Sequence, residues 1–411
     1  MQTEKDEMRR QRGYEIAQTS KIEHDNDGWK VPSQSGNGQY TVIIEPLRSS
    51  CTCPDCTTRQ VKCKHIFAVE HIMTSETDSL GNVKVTHTIR QTYAQEWSSY
   101  DQASINQKTA FMKLIKDLTD TVENPEYTFG RPTLPQSDMV YATLMKVYTT
   151  FSLRRFMSDM ETAREKGYIA SKPCYASVGH FMQKPEITPL LSNLVTLTSL
   201  PLKDVETAFA VDSTGFGTSN FQRWFSVKHG KEISTKKFIK CHFMCGTKTN
   251  VVTSVKITTE TGADSPQMPE LVQKTGDNFD MKEVTADKAY SGRANMEVIN
   301  DFGGMPYIPY RSNATGLSRG SPIWKKMYHY FQLNNVQFME HYHRRSNAET
   351  TVHMIKSKFG SFVRSTSWTA QVNELLAKVI CHNICVIVQE MHELGIIPQF
   401  DNKFIKQEGD E

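Results

Sequence analysis

The sequence has no long apolar run and no large excess of charge of one sign. No apolar stretch approaches the roughly 20 residues that a membrane-spanning helix needs. The first residues, MQTEKDEMRRQRGYE, lack the apolar region of a secretion signal. The formal net charge of +3 is too small to identify a polyanionic partner by itself. These absences predict a cytoplasmic protein with no membrane partner.

The sequence also lacks the cysteine pattern of a disulfide-stabilised fold. Its nine cysteines are an odd number in a chain of 411 residues, and four of them lie in residues 51–63. This favours a metal site with scattered buried thiols over a disulfide framework. With 38% hydrophobic and 23% charged residues, the composition is that of a globular protein with two or three domains.

Positive charge is concentrated in two stretches. Residues 323–364 contain seven Lys or Arg against two Glu, and residues 222–240 contain six against one, with aromatic residues interleaved. Such stretches favour a nucleic-acid-binding surface. A solvated charged face is the alternative for each.

Hydrophobic periodicity divides the first half of the chain into three segments. Residues 1–27 form a polar segment. Residues 28–90 contain a strand pair, the cysteine cluster, a short helix at HIFAVEHIM and a turn-rich linker. Residues 91–204 have apolar residues at helical spacing, which predicts a helical DNA-binding region. A helix pair around Arg154 and Arg155 could be a helix-turn-helix, although ordinary helix packing accounts for it equally well.

The pattern changes near residue 205. Short β-rich runs such as TAFAV, KFIKCHFMC and VVTSVKI come first, and strands alternating with helices follow. This order predicts that residues 205–396 form an α/β domain with a mixed sheet flanked by helices. The apolar pattern over residues 365–396 predicts a long helix, and residues 397–411 form a polar tail.

The segment CTCPDCTTRQVKCKH places four cysteines and a histidine within residues 51–65. Thiolate and imidazole ligands at short spacing suit tetrahedral zinc, and a structural site would stabilise a segment too small to bury its own core. The C-x-C pair followed by C-x-H at a helix start, after a strand pair, resembles the SWIM zinc finger over residues 28–75. The resemblance implies one structural Zn²⁺ and a role in DNA or protein binding. The ligands it implies are Cys51, Cys53, Cys63 and His65.

Other cysteines receive different interpretations. Cys56 is a spare thiol in the SWIM pattern and could compete for zinc, and an incidental redox cluster is the alternative to the whole site. Cys241 and Cys245 would be about 13 Å apart along a strand, too far to share a metal. Cys381 and Cys385 lie on an apolar helix face, which favours burial.

Four polar or charged side chains occur at helical spacing in HYHRRSNAETTVHMIK. Tyr342, Arg345, Glu349 and Lys356 would share one face if the stretch were a single helix. A carboxylate beside cations suits a metal ion held against a phosphate. The alternative is a capping box of Ser346 and Glu349, which would start the helix near Ser346.

Two aspartates follow apolar strand patterns. Asp212 is the last residue of TAFAVD and precedes a predicted turn, and Asp287 is the last residue of KEVTAD. A carboxylate at the open end of a strand is well placed to hold a catalytic metal, although a turn or helix-cap role is the alternative for each alone.

Taken together, VDSTG, ADKAYSG and Y-x2-R-x3-E-x6-K resemble the insertion-sequence DDE transposases with a YREK signature, over about residues 130–395. The resemblance implies a ribonuclease H-like fold and two Mg²⁺ ions, which Mn²⁺ could replace. It implies that the metal-binding catalytic residues are Asp212, Asp287 and Glu349. It implies that the phosphate-binding residues are Tyr342, Arg345 and Lys356, with Lys288 a less certain neighbour.

The implied activity is cleavage at transposon ends and joining of those ends to target DNA, by a protein that assembles as a homo-oligomer on DNA. In a prokaryote, the protein would be associated with the nucleoid. Two alternatives stay open at this point. One is a catalytically inactive, transposon-derived DNA-binding protein, and the other is a metal-dependent nuclease that cuts DNA without joining it.

Overall fold

The computed structural model describes residues 2–20, 22–25, 28–34, 38–43, 49–59, 61–73, 75–77, 83–85, 96–125, 129, 133–218 and 238–401. Two units are separated at residue 90, Met1–Arg90 and Gln91–Glu411. Most of the basic stretch 222–240, part of the predicted linker and residues 402–411 of the polar tail lie outside the described residues.

The first unit contains a four-stranded antiparallel sheet and three helices among its described residues. Its strands pair in the order β1-β2-β3-β4. These strands are β1 (Glu23–Asp25), β2 (Gly28–Pro32), β3 (Gln39–Ile43) and β4 (Ser50–Cys51). The helices are α1 (Gln2–Thr19), α2 (Pro54–Arg59) and α3 (Lys64–Met73). A separate antiparallel pair follows, β5 (Ser75–Thr77) and β6 (Val83–Val85). The predicted strand pair and short helix coincide with β2, β3 and α3.

Helix α1 occupies most of the segment that the sequence indicates only as polar. Ile16 is fully buried in the core of this unit. Gly13 lies so close to α3 that a Cβ atom there would be 2.7 Å from both the Lys64 carbonyl oxygen and the Phe67 Cβ. The missing side chain therefore allows α1 to pack tightly on α3.

The second unit begins with helices that agree with the predicted helical region. These are α4 (Trp97–Thr119), α5 (Gln136–Thr149), α6 (Met157–Glu165), α7 (Tyr175–Phe181) and α8 (Ile187–Ser199). Helix α6 starts at Met157, so Arg154 and Arg155 precede it rather than lying within it. A short 3-10 helix, Leu200–Leu202, leads into the sheet.

A mixed five-stranded sheet follows, as predicted, in the order β11-β10-β7-β8-β9. Its strands are β7 (Ala208–Gly217), β8 (Phe238–Gly246), β9 (Val252–Thr259), β10 (Glu283–Ala286) and β11 (Met305–Tyr307). Strand β10 runs parallel to β7 and β11, whereas β8 is antiparallel to β7 and β9. The later helices are α9 (Met268–Gly276), α10 (Arg293–Asp301), α11 (Pro322–Leu333), α12 (Asn335–Tyr342), α13 (Ser346–Phe359) and α14 (Trp368–Glu393).

The helical region and the sheet share one apolar core. Helix α14 packs against α4, α5 and α8, and it also contacts β8 and β9. The predicted domain boundary at residues 204 and 205 is therefore not a boundary between units. Helix α14 is long and apolar enough to cross a membrane, but 94% of its most apolar window is buried inside the protein, as in a core helix.

Candidate active site and metal centre

Asp212 lies within β7 rather than at its end. The expected turn after Asp212 is wrong, because β7 continues to Gly217 and pairs with the antiparallel β8 along its whole length. On its other side, β7 pairs with the parallel strand β10 only as far as Val211 and Ala286. Asp212 is thus the first residue of β7 beyond the β10 pairing, which leaves that side open.

Asp287 follows β10 directly, at the same level of the sheet as Asp212. Neighbouring strands lie about 4.8 Å apart, so the two aspartates are close neighbours. Burial raises the pKa of Asp212, the Ser213 N–H and Arg345 oppose that rise, and Glu349 and Asp287 add to it. Both Asp287 and Glu349 are therefore close enough to Asp212 for their carboxylates to repel its own.

The stretch from Tyr342 to Lys356 is not one helix, and that prediction is wrong. Tyr342 ends α12, residues 343–345 form a 3-10 turn, and α13 begins at Ser346. The alternative is confirmed in part: α13 begins at Ser346 and leaves Tyr342 and Arg345 outside it, but Arg345 takes the cap position with no side-chain capping hydrogen bond. Although the 3-10 turn interrupts the helix, the side chains of Arg345 and Glu349 still point toward β7.

Arg345 joins two of the three acids. Its Nη1 is 3.3 Å from Asp212 Oδ2, and its Nη2 is 2.5 Å from Glu349 Oε1. Burial raises the pKa of the neighbouring Tyr342, which also interacts with Arg345 and with Asp287. The structure therefore brings Tyr342, Arg345 and all three predicted acids into one cluster.

Lys356 lies farther along the same face of β7. Its Nζ donates a hydrogen bond of 2.6 Å to Thr214 Oγ1 and lies 5.2 Å from the centre of the Phe216 ring. Alternate residues of a strand share a face, so Thr214 and Phe216 continue the face that carries Asp212. Burial lowers the pKa of Lys356.

The three carboxylates have the chemistry of a site for hard cations, but their oxygen atoms do not converge on one point. Carboxylate oxygens are the ligands that Mg²⁺ prefers, and a single guanidinium does not neutralise three carboxylates. Arg345 lies between Asp212 and Glu349. Within the described ranges, only the cysteine–histidine cluster of the first unit forms a group of three or more converging His, Cys, Asp or Glu ligands.

The ligand atoms of that cluster converge closely enough to hold one metal ion. Its ligand atoms lie within 4.8 Å of one another, and all four side chains are buried. His65 Nδ1 is 3.8 Å from the sulfur atoms of Cys51 and Cys63. In a zinc tetrahedron with usual bond lengths, such pairs would be about 3.6 Å apart. The members of this group are Cys51, Cys53, Cys63 and His65.

The polar atoms of the cluster also suit a bound cation. A hydrogen bond with Cys63 raises the pKa of Cys51, and the same bond lowers the pKa of Cys63 to about 4. Several adjacent thiols cannot all ionise without a cation between them, and a zinc ion would favour every thiolate. Cys56 is half-buried and is not a member of the converging group.

Comparison with known proteins is informative for the second unit. Residues 203–384, which include Asp212, Asp287 and Glu349, match the family model of the transposase DDE domain. This segment resembles a transposase DDE domain. A cryo-EM structure of the piggyBac transposase synaptic complex with hairpin DNA has 13% identity over 78% of this chain and 80% of that chain. Its TM-score of 0.35 is too low to support a conclusion about this chain.

The transposase-like segment holds a polar network that the sequence did not indicate. Asp264 Oδ1 lies 2.8 Å from Lys240 Nζ and 3.2 Å from His242 Nδ1. Burial raises the pKa of Tyr290, as do the negative charges of Asp264 and Asp212, and a hydrogen bond with Ser213 opposes the rise. Of these residues, only Tyr290 was indicated by the sequence, because it lies three residues after Asp287. Lys288 is exposed in the 3-10 helix Lys288–Tyr290.

Proposed function

We propose that this chain is a transposase that binds transposon ends, cleaves DNA there and joins the ends to target DNA. The observation that carries the proposal is the cluster of Asp212 with Asp287 and Glu349, in which Arg345 pairs with Asp212 and Glu349. This cluster lies within the segment that matches the transposase DDE domain. Neither the family match nor the carboxylate cluster would be as specific alone.

The three carboxylates would hold two Mg²⁺ ions, for which Mn²⁺ could substitute. The fit rests on their oxygen donors and on an excess of negative charge that Arg345 alone does not balance. When bound, such ions activate the attacking oxygen and stabilise the leaving oxygen of a phosphoryl transfer.

The cations of the cluster would bind and orient the DNA phosphates. The Glu349 side chain is 62% exposed, so its ion pair with Arg345 is a weak one that an arriving phosphate could displace. That exchange would place the guanidinium on the phosphate and leave the Glu349 carboxylate available. Tyr342 and Lys356 would position the same strand, adding to charge stabilisation.

The cysteine–histidine centre would be a SWIM-like zinc finger with one structural Zn²⁺. Its proposed roles are to bind the transposon ends or to hold protomers together as a homo-oligomer on DNA. Four buried protein ligands, which would complete a tetrahedral coordination, favour a structural site over a catalytic one. The substrate would be DNA in the cytoplasm, at the nucleoid if the host is a prokaryote.

The test incubates the protein with the DNA ends of its own transposon in the presence of Mg²⁺. Asp212→Asn keeps the size of the side chain and removes its charge, and we expect at least a thousandfold loss of both nicking and strand joining. Asp280→Asn is the matched control, because Asp280 is an exposed aspartate whose side chain is 3.5 Å from Lys282. The control should retain activity.

The other outcomes distinguish the alternatives. Equal activity of the wild type and Asp212→Asn would refute the assignment of the acids. Nicking without joining by the wild type would identify a nuclease. Specific binding of the ends without any cleavage would identify a DNA-binding protein that has lost its activity.

A further inference from the structure

A cavity of about 350 Å³ in the second unit is lined by residues outside the acid cluster. Its wall combines Lys146 of α5 with side chains near residues 152–153 and 179–183 and with the chain that leads into α14. The polar and charged lining residues are Lys146, Ser152, Gln183, Arg364, Ser365, Thr366 and Ser367. No acidic side chain is among the residues that line it.

Lys146 is the unusual member of this lining. The residue is only 7% exposed, yet its ammonium group has no hydrogen bond or ion pair within the described part of the chain. Burial lowers the pKa of Lys146, and the charge of Glu374 opposes that change. A buried lysine without a partner is costly, and this cost is relieved when an anion binds beside it.

The nearby carboxylate of Glu374 already accepts hydrogen bonds from other groups. It accepts hydrogen bonds from the Arg364 N–H at 3.0 Å, the Ser365 N–H at 2.8 Å and the Ser365 hydroxyl at 2.7 Å. Lys378 Nζ is 4.0 Å from the same carboxylate. Lys146 and Lys378 both interact with this one carboxylate, and the charge of Arg364 acts on both lysines, which leaves an excess of positive charge.

The start of α14 adds to this positive potential. The helix has 26 residues, and Ser367 Oγ accepts a hydrogen bond from the Ala370 N–H at its first turn. The N–H groups of Trp368 and Thr369 have no acceptor within the helix. Such helix starts attract anions through their N–H groups and dipole.

A continuous series of contacts connects this cavity to the acid cluster. The Phe216 ring lies 5.2 Å from Lys356 Nζ and 5.5 Å from Lys378 Nζ. Lys378 also donates to the carbonyl oxygens of Gly360 and Phe362, at 3.1 and 2.6 Å. Beyond Phe216, Gly217 pairs with the segment that leads to Arg364.

We propose that this cavity binds a backbone phosphate of the DNA strand whose reacting phosphate lies at Asp212. This inference rests on the proposed function for its choice of DNA as the ligand. Strand β7 advances about 17 Å from Asp212 to Gly217 at about 3.4 Å per residue. Successive phosphates of one DNA strand advance about 3.4 Å along the helix axis, so a strand that runs along β7 carries several phosphates over this length.

The first experiment measures DNA affinity over a salt series for the full chain. Each phosphate contact contributes about 0.9 to the slope of log affinity against log salt concentration. Lys146→Met keeps a long side chain and removes its charge, so the slope should fall by about 0.9. Lys282→Met is the matched control, because Lys282 is an exposed lysine at the opposite end of β10 from Asp287. Its slope should equal that of the wild type.

Arg364→Gln provides a second variant whose substitution lies on the surface and should not disturb folding. Its slope should also decrease by about 0.9. Slopes equal to that of the wild type in both Lys146→Met and Arg364→Gln would overturn the inference.

The second experiment uses inorganic phosphate alone and is independent of transposase activity. Phosphate at tens of millimolar should raise the melting temperature of the wild type and of Lys282→Met, but not that of Lys146→Met. A shift in the wild type without any change of slope would reveal an anion site that DNA does not use, which also overturns the inference. Failure of nicking with both expected results retained would count against the proposed function alone.

Discussion

At the scale of single residues, buried carboxylates of the second unit have contrasting surroundings. Glu206 accepts hydrogen bonds from the Lys248 N–H at 3.1 Å and from the Thr249 N–H and hydroxyl at 2.5 and 2.8 Å. Glu390 is 6% exposed, and its carboxylate has no hydrogen bond or ion pair among the described residues. Burial, with the charges of Glu393 and Glu206, raises the pKa of Glu390 to about 7.

Glu390 should therefore make stability depend on pH. Its pKa in the folded protein is about 7 and the ordinary value is 4.5, so the fold favours the protonated form. The stability that this preference for the protonated form provides is complete below about pH 4.5 and is lost as the pH rises through 7. Glu390→Gln should stabilise the protein by about 1 to 3 kcal/mol at pH 8 and by much less at pH 5.

Urea unfolding of the second unit at both pH values measures this difference. Glu165→Gln, which removes an exposed carboxylate, is the control and should change stability by less than about 0.5 kcal/mol at either pH. An equal effect of Glu390→Gln at pH 5 and pH 8 would contradict the prediction.

The sequence identified the residue types of the candidate site but not their partners. Asp212, Asp287 and Glu349 were recognisable because each is part of a local motif. The ion pairs of Arg345 with Asp212 and Glu349 were not, because Arg345 and Asp212 are far apart in the sequence. For the same reason, the contact between Asp264 and His242 had no sequence signal.

At the scale of elements, two kinds of pattern were misleading. The spacing from Tyr342 to Lys356 fits one helix face, but spacing alone does not reveal the 3-10 turn at residues 343–345. Helix α1 is almost uniformly polar, so periodicity gave no sign of it. Its contact with α3 depends on Gly13, a residue that helix propensity disfavours.

The cysteine–histidine cluster of the first unit should bind zinc through Cys63 and not through Cys56. Cys63→Ser should reduce the zinc content from about one ion per chain to nearly none, because a hydroxyl is a poor substitute for a thiolate ligand. Cys56→Ser is the matched control, since Cys56 lies outside the converging group, and it should keep its zinc. Metal analysis of the purified full-length variants makes the comparison. Equal zinc content in Cys63→Ser and the wild type would refute the ligand assignment.

Loss of zinc should affect the first unit and spare the second. Amide hydrogen exchange in α3, which carries His65, should become faster in Cys63→Ser. Exchange in β7 and β8 should be unchanged, and on the proposed function the affinity for transposon ends should decrease.

At the scale of the whole molecule, the change of sequence pattern near residue 205 lies inside the second unit, Gln91–Glu411. The change from helical to β-rich patterns is real, as α8 and β7 show. A domain boundary requires that few contacts cross it. Here α14, at the far end of the chain, packs on α4, α5 and α8, a pairing that local patterns cannot reveal.

This shared core predicts which fragments can fold. A fragment of residues 91–401 retains every helix that covers α14 and should melt cooperatively, within a few degrees of the same unit in the full chain. A fragment of residues 205–401 lacks α4, α5 and α8, so it would expose side chains such as Ile380, Ile384 and Ile387, all fully buried in the intact unit. The exposed apolar surface should cause aggregation or loss of cooperative melting. Circular dichroism melting and analytical size exclusion distinguish these results, and a soluble, cooperatively folded 205–401 fragment would show that the sheet forms a domain without the helical layer.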